Sequence, residues 1–234
     1  SFTEPHSPFH FPIGYRDRHK PEEFAAPPPG PEDEWQIPAI FRGLTEREKQ
    51  GIIAAYHTST EFLDKNVLLV LDALDKSGQA QNTLVIYLGD HGYMLGQHGR
   101  FEKHCGYEPA VRSALLMRFL GRVKPQQSTR ALVEFIDIFP TVLEFAGVAQ
   151  PANVHGRTLL PLLTGKIADH RDRVFIEYSE NEEAYVCTER WKFIYGTGRR
   201  TREDGYATSR PTPSPTIQLF DLDSDPGEGT NLAT

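Results

Sequence analysis

The dipeptide Asp90-His91 sets a carboxylate oxygen beside an imidazole nitrogen, two of the donor types that divalent cations take from proteins. Lys103 brings a positive charge back after a short excursion rich in glycine, and an ammonium there can hold an anion. Glycines at 89, 92, 96 and 99 let the backbone between them turn tightly, turn left-handed or approach a ligand closely. Metal and anion binding is the chemistry this set offers. Two donors do not close a metal site, so the remaining ligands must come from other residues, from water or from substrate. A strand-end Asp also caps turns, and an exposed His needs no ligand, so the dipeptide alone leaves both readings open.

The elements that must position these residues are legible around them. Leu84-Val85-Ile86-Tyr87-Leu88 shows no polar alternation, which suits a strand covered on both faces in the parallel sheet of an α/β protein, where ligands gather at strand ends. Upstream, Thr45-Glu46-Arg47-Glu48 has capping-box spacing. Ile52, Ile53, Tyr56, Leu63, Val67, Val70, Leu71 and Leu74 then recur at helical intervals until Lys76-Ser77-Gly78, predicting one long amphipathic helix in which His57 packs or caps. Residues 21–38, rich in proline and acid, read as an extended surface loop. Downstream, Ala114 to Phe119 reads as a second strand. Leu132, Phe135, Ile136, Phe139, Val142, Leu143 and Phe145 mark a second helix, interrupted or kinked at Pro140 and ended by Gly147, with Asp137 capping or pairing on it. Helices and strands in this order fit an α/β layer architecture.

From about residue 170 the pattern changes to short aromatic and β-branched runs at 174–178, 184–188, 191–195 and 218–222, separated by turn residues, as in a small antiparallel sheet. Residues 196–216 read as a long mobile loop. The formal charge of −7 and pI near 5.7 argue against a nucleic-acid or anionic-membrane partner, and no apolar run has the length of a membrane span. Arg100, Lys103, Arg112, Arg118, Arg122 and Lys124 form a local basic stretch, read as a solvated face apart from Lys103 and Arg112. Two cysteines far apart make no disulfide framework and leave the compartment, periplasmic, secreted or other, open.

Gly89-Asp90-His91-Gly92-Tyr93-Met94-Leu95-Gly96-Gln97-His98-Gly99, followed by Lys103 and by Tyr107-Glu108-Pro109-Ala110-Val111-Arg112, resembles the second half of sulfatases of the alkaline phosphatase superfamily. Three further segments agree in order: His6-Ser7-Pro8-Phe9 with a His-x-Pro-Phe segment, His155-Gly156-Arg157-Thr158-Leu159-Leu160-Pro161 with a Gly-Arg-Ser-Leu-x-Pro stretch, and Asp225-Pro226-Gly227-Glu228 to Asn231-Leu232 with a closing Asp-Pro-x-Glu, Asn-Leu pattern. The forms are closer to iduronate-2-sulfatase-like bacterial enzymes than to those with Asp-Asn. Ser113-Ala114 stands where the family usually has Val-Pro, a change of local geometry more than of chemistry.

The resemblance implies part of an alkaline-phosphatase-like three-layer sandwich with a mainly parallel sheet over residues 1–168, and a small antiparallel β subdomain over 169–234. It implies Asp90 and His91 as metal ligands, Lys103 as the group that holds a sulfate oxygen, and His6 as a sulfate contact and proton donor to the leaving alcohol. His104 is a weaker substrate-binding candidate, while His10 and His98 line the pocket at most. The expected cofactors are a divalent cation, calcium before manganese or magnesium, and a formylglycine nucleophile. Neither Cys105 nor Cys187 lies in the family's Cys-x-Pro/Ala-x-Arg motif, and each reads as a packed free thiol. The nucleophile and a metal-binding Asp pair are therefore expected on a missing N-terminal half, these residues alone being inactive and the strand end at Asp90 facing a hollow. The expected substrate is a small-molecule or carbohydrate sulfate ester. A phosphonate monoester or phosphodiester hydrolase, and a non-catalytic accessory module, remain as alternatives.

Overall fold

A computed structural model describes residues 1–210 and 214–233. After three short turns of 3-10 helix come α1 (Ala39–Arg42) and α2 (Glu46–Lys76). The expected capping box closes α2 at its start: the Glu48 amide donates to Thr45 Oγ1 at 3.3 Å and the Thr45 amide to Glu48 Oε2 at 2.8 Å. The helix buries Ile53, Ala54, Ser59 and Leu63, whereas Leu68, Leu69 and Val70 further along are more than half exposed. As expected His57 packs, its ring stacked on Phe24 at 4.8 Å.

Next come β1 (Val85–Leu88), α3 (Glu108–Val111), β2 (Leu115–Arg118), α4 (Ile138–Ala146) and α5 (Leu160–Leu163). The chain is α/β as expected, but β1 and β2 pair antiparallel, Leu88 opposite Leu115 and Val85 opposite Arg118, and no parallel pair occurs among the described residues. Nor are both faces covered, since Leu88 and Leu116 are 40% and 60% exposed. The second helix begins later than its apolar spacing suggested. Pro140 lies in its first turn, where no amide is needed, and so marks a start, not a kink. Gly147 ends it in the left-handed conformation as expected.

Four strands, β3 (Val174–Tyr178), β4 (Glu183–Cys187), β5 (Trp191–Gly196) and β6 (Thr216–Asp221), form an antiparallel meander in that order. Along β5 buried and exposed side chains alternate, with Lys192 and Ile194 inward and Trp191, Phe193 and Tyr195 outward. The inward face meets the segment that follows β1. Met94, Cys105, Tyr107 and Ala110 form one buried cluster with Tyr185, Ile194 and Phe220, so the sheet is the floor on which the Asp90 to Lys103 loop rests. Each fully buried aromatic there contributes roughly 1.5–3 kcal/mol. Burial pushes both thiols, Cys105 and Cys187, up to about 11, which makes them packing groups and not nucleophiles. Part of the expected 196–216 loop, residues 211–213, lies outside the described residues. Among the described residues no helix is long and apolar enough to cross a membrane.

Candidate active site

Asp90 leaves the sheet just beyond β1. The Gly89 amide donates to the Ala114 carbonyl at 3.2 Å, and Ser113 Oγ donates to the Gly89 carbonyl at 2.6 Å. Ser113 thus braces the strand end that carries Asp90 and His91. At Gly92 the loop passes so close to α3 that a Cβ would lie 2.0 Å from the Pro109 carbonyl oxygen, and only glycine fits. Beyond it the Met94 amide bonds the Glu102 carbonyl at 2.7 Å and the Gly96 amide, at φ +106°, bonds the Arg100 carbonyl at 2.8 Å, closing a compact lobe that delivers Lys103 at its exit.

His91 Nδ1–H donates to the Gly92 carbonyl at 2.7 Å, which leaves Nε2 as the free lone pair, 3.5 Å from Asp90 Oδ2. A histidine that gives its second nitrogen to a backbone carbonyl has the arrangement of a metal ligand. Asp90, its side chain 86% exposed, and His91 line a hollow of about 1980 Å³ together with Lys103, His104 and Arg112. Among the described residues no group of three or more His, Cys, Asp or Glu side chains is placed to hold a metal ion.

Lys103 and His6 meet across the molecule. Lys103 Nζ donates to His6 Nε2 at 3.1 Å, and His6 Nδ1–H is fixed on the Ser7 carbonyl at 2.6 Å. Aromatic packing holds the His6 segment there: Phe9 stands edge-on to Tyr56 of α2 at 5.7 Å and to Tyr93 of the lobe at 5.8 Å, and Ser59 Oγ donates to the His10 carbonyl at 3.1 Å. His104 lines the hollow but is tied to Glu102 Oε2 at 2.9 Å.

Several residues prove to be supports. His98 is buried, with Nδ1 on Asp33 Oδ1 at 2.8 Å, Nε2 on the Gly227 carbonyl at 3.1 Å and its ring 3.7 Å from that of Tyr107. It does not line the hollow; it clamps the lobe between the 21–38 segment and the closing Asp-Pro-x-Glu segment. That segment is consequently no mere surface loop, since Asp33, Gln36 and Ile37 are buried under the lobe. Arg100, expected on a solvated face, is 4% exposed and pairs with Glu102 while donating to the Gln36 carbonyl at 2.5 Å. Asp137 pairs as expected: buried, it accepts from the Arg157 amide at 2.8 Å and from Arg171 Nε at 2.9 Å. The clamp had no local signal in sequence, because Asp33, His98 and Gly227 are far apart along the chain.

The family model described as Sulfatase matches residues 1–148, and that described as N-sulphoglucosamine sulphohydrolase, C-terminal, matches residues 96–234. The chain belongs to the sulfatase family, within the alkaline phosphatase superfamily. It is 31% identical over 245 residues to an arylsulfatase of Clostridium perfringens, covering 99% of this chain and 48% of that protein. It is 36% identical over 203 residues to arylsulfatase K of Mus musculus, covering 82% and 34%, and 30% identical over 194 residues to an N-acetylglucosamine-6-O-sulfatase of Bacteroides thetaiotaomicron, covering 82% and 34%. The chain thus spans about a third to a half of these relatives. A solved protein in complex with its substrate D-glucosamine-2-N,6-O-disulfate superposes with a TM-score of 0.69 at 27% identity, over 79% of this chain and 37% of that one. A phosphonate monoester hydrolase from Silicibacter pomeroyi gives 0.78 at 26%, over 98% and 50%.

Proposed function

We propose that this chain supplies the lysine, histidine and part of the metal-binding set of an enzyme that hydrolyses sulfate esters, with nucleophile and remaining ligands contributed from outside these 234 residues. The observation that carries the reading is the 3.1 Å contact between Lys103 and His6, residues far apart in sequence, at the rim of the hollow that also receives Asp90 and His91. A divalent cation, calcium before manganese or magnesium by the family resemblance, with the His91 imidazole leaning towards the softer manganese, would be held in part by Asp90 and His91 and would polarise sulfate oxygens. Lys103 binds a sulfate oxygen and offsets the charge that gathers on the leaving oxygen as its bond to sulfur breaks. His6 is oriented by the Ser7 carbonyl; once Lys103 turns from Nε2 to the sulfate oxygen, a protonated Nε2 passes its proton to the departing alcohol oxygen, a step worth about 10²–10⁴ in rate. His104, held by Glu102, contacts the remainder of the substrate.

The substrate class we infer is a sulfated sugar, supported by the likeness to the glucosamine-disulfate complex and to the N-acetylglucosamine-6-O-sulfatase. The division into residues 1–168 and 169–234 is part of the same proposal, supported by the position of all four meander strands after residue 169. Phosphonate monoester hydrolysis is the second reading, favoured by the extent of the superposition on the Silicibacter pomeroyi enzyme. Parallel turnover of an aryl sulfate and an aryl phosphonate monoester by the complete enzyme decides between them. The proposal expects sulfate to be the better substrate, and a large excess of phosphonate turnover would sink it.

A further inference from the structure

Beside Lys103 lies a second pocket, of about 530 Å³, on the wall formed by the Arg-rich segment after β5. It adjoins the larger hollow through His104 and Tyr178, which line both. Four arginines line it, Arg100, Arg200, Arg202 and Arg210. Three have acid partners: Arg100 pairs with Glu102, Arg202 with Asp204 at 2.7 Å and Arg210 with Glu34 at 2.7 Å. Arg200 has no carboxylate within 4 Å among the described residues. Its Nη1 donates to Thr208 Oγ1 at 2.8 Å and its guanidinium lies 5.2 Å from the centre of the Trp35 ring, while its Nε is buried with no acceptor. Burial pulls its proton affinity below the usual arginine range, with Glu183 acting the other way, so the charge is desolvated without being paired. Of the acids on the wall, Glu102 is engaged by Arg100 and His104, and Glu203 is exposed. Arg200 thus lines the pocket as a cation with no carboxylate partner among the described residues, and an oxyanion is the ligand a guanidinium binds best.

We propose that this pocket is an anion subsite in which Arg200 receives a second oxyanion, sulfate or carboxylate, of a sugar whose reacting sulfate ester lies at Lys103 and His6. His104 is the wall across which such a substrate passes, and its bond to Glu102 keeps it out of the path. The inference rests on the sulfatase reading and adds what selects the substrate.

The test compares kcat/KM of the complete enzyme for a disulfated glucosamine, its two monosulfated forms and a monosulfated uronate, before and after Arg200→Gln and Arg200→Lys, with thermal unfolding as the folding control. The wild type should favour a sugar with a second anion by about tenfold or more, the magnitude of one charge-assisted contact. Arg200→Gln should bring that ratio towards one, mainly through KM, and Arg200→Lys should keep part of it. A preference for disulfated sugar assigns sulfate as the second anion, and one for the uronate assigns carboxylate. Equal efficiency on all sugars in the wild type, or a ratio untouched by Arg200→Gln, would overturn the subsite while leaving the sulfatase reading intact. Turnover of none of them, nor of an aryl sulfate, would remove the sulfatase reading and this inference with it.

Discussion

Lys192→Met should destabilise the chain far more than an ordinary lysine substitution, because Lys192 is a buried tie between the meander and the site. It is 0% exposed and reaches Glu228 Oε1 at 2.7 Å and Glu108 Oε1 at 2.8 Å. Burial opposes its charge, but Glu228 and Glu108 outweigh burial and push the ammonium above the usual lysine range, so it stays protonated. Glu228 Oε2 in turn accepts the Glu108 amide at 2.6 Å, the first residue of α3, against which Gly92 packs. Methionine nearly fills the same volume and leaves Glu228 buried without its cation. Removing one partner of a buried pair costs about 3–5 kcal/mol. At about 2–4 °C per kcal/mol for a chain of this size, the melting temperature should fall by roughly 6–20 °C. Thermal unfolding followed by circular dichroism measures it. The double variant Lys192→Met with Glu228→Gln should recover part of the loss, since the stranded charge is gone. A single variant that loses less than about 1 kcal/mol, or a double variant no better than the single, would refute the reasoning.

Two further outcomes follow from other ties. The Asp137 carboxyl is held below its ordinary value: burial raises it, but the Arg171 guanidinium and the Arg157 and Glu134 amides outweigh burial. Its contribution to stability is therefore full above the unfolded carboxylate value near 4 and is lost as pH falls through the lower folded value. Asp137→Asn should lower the melting temperature at neutral pH and flatten its acid dependence, and an unchanged acid limb in a pH series of melts would count against this. Gly92→Ala should cost more than about 2 kcal/mol, because its methyl meets the Pro109 carbonyl and backbone must shift. Chemical denaturation checks it, and a loss below about 0.5 kcal/mol would show the approach to be looser than described.

Local patterns were legible and long-range ones were not. The capping box and apolar spacing placed α2 within a residue of its observed limits, and short aromatic and β-branched runs between turn residues located the four meander strands, because both signals are carried by neighbours in sequence. The unbroken apolar run at β1 marked a strand, but such a run does not set the direction of its partner, and pairing with β2 is antiparallel. The same run indicates burial without naming what buries it, and Leu88 and Leu116 stay exposed. At the site, donor types and glycine spacing singled out Asp90, His91 and Lys103. That His6 reaches Lys103 depends on Phe9 packing edge-on against both Tyr56 and Tyr93, a tertiary fact. Neither the brace from the Ser113 hydroxyl to the Gly89 carbonyl nor the burial of Arg100 against Glu102 and the Gln36 carbonyl has a signal among sequence neighbours strong enough to separate it from a loop serine or a solvated arginine.

On the function proposed above, Lys103, held at His6, handles the sulfate group. The most direct measurement is aryl sulfate turnover by the complete enzyme with Lys103→Ala beside the wild type, each checked by its melting curve. Lys103 is partly exposed and touches His6 through its ammonium, so the fold should melt as before. For Lys103→Ala a fall in kcat of about 10²–10³ is expected, the loss that follows when a group that stabilises developing negative charge is removed. Turnover within about threefold of the wild type, with the fold intact, would contradict it.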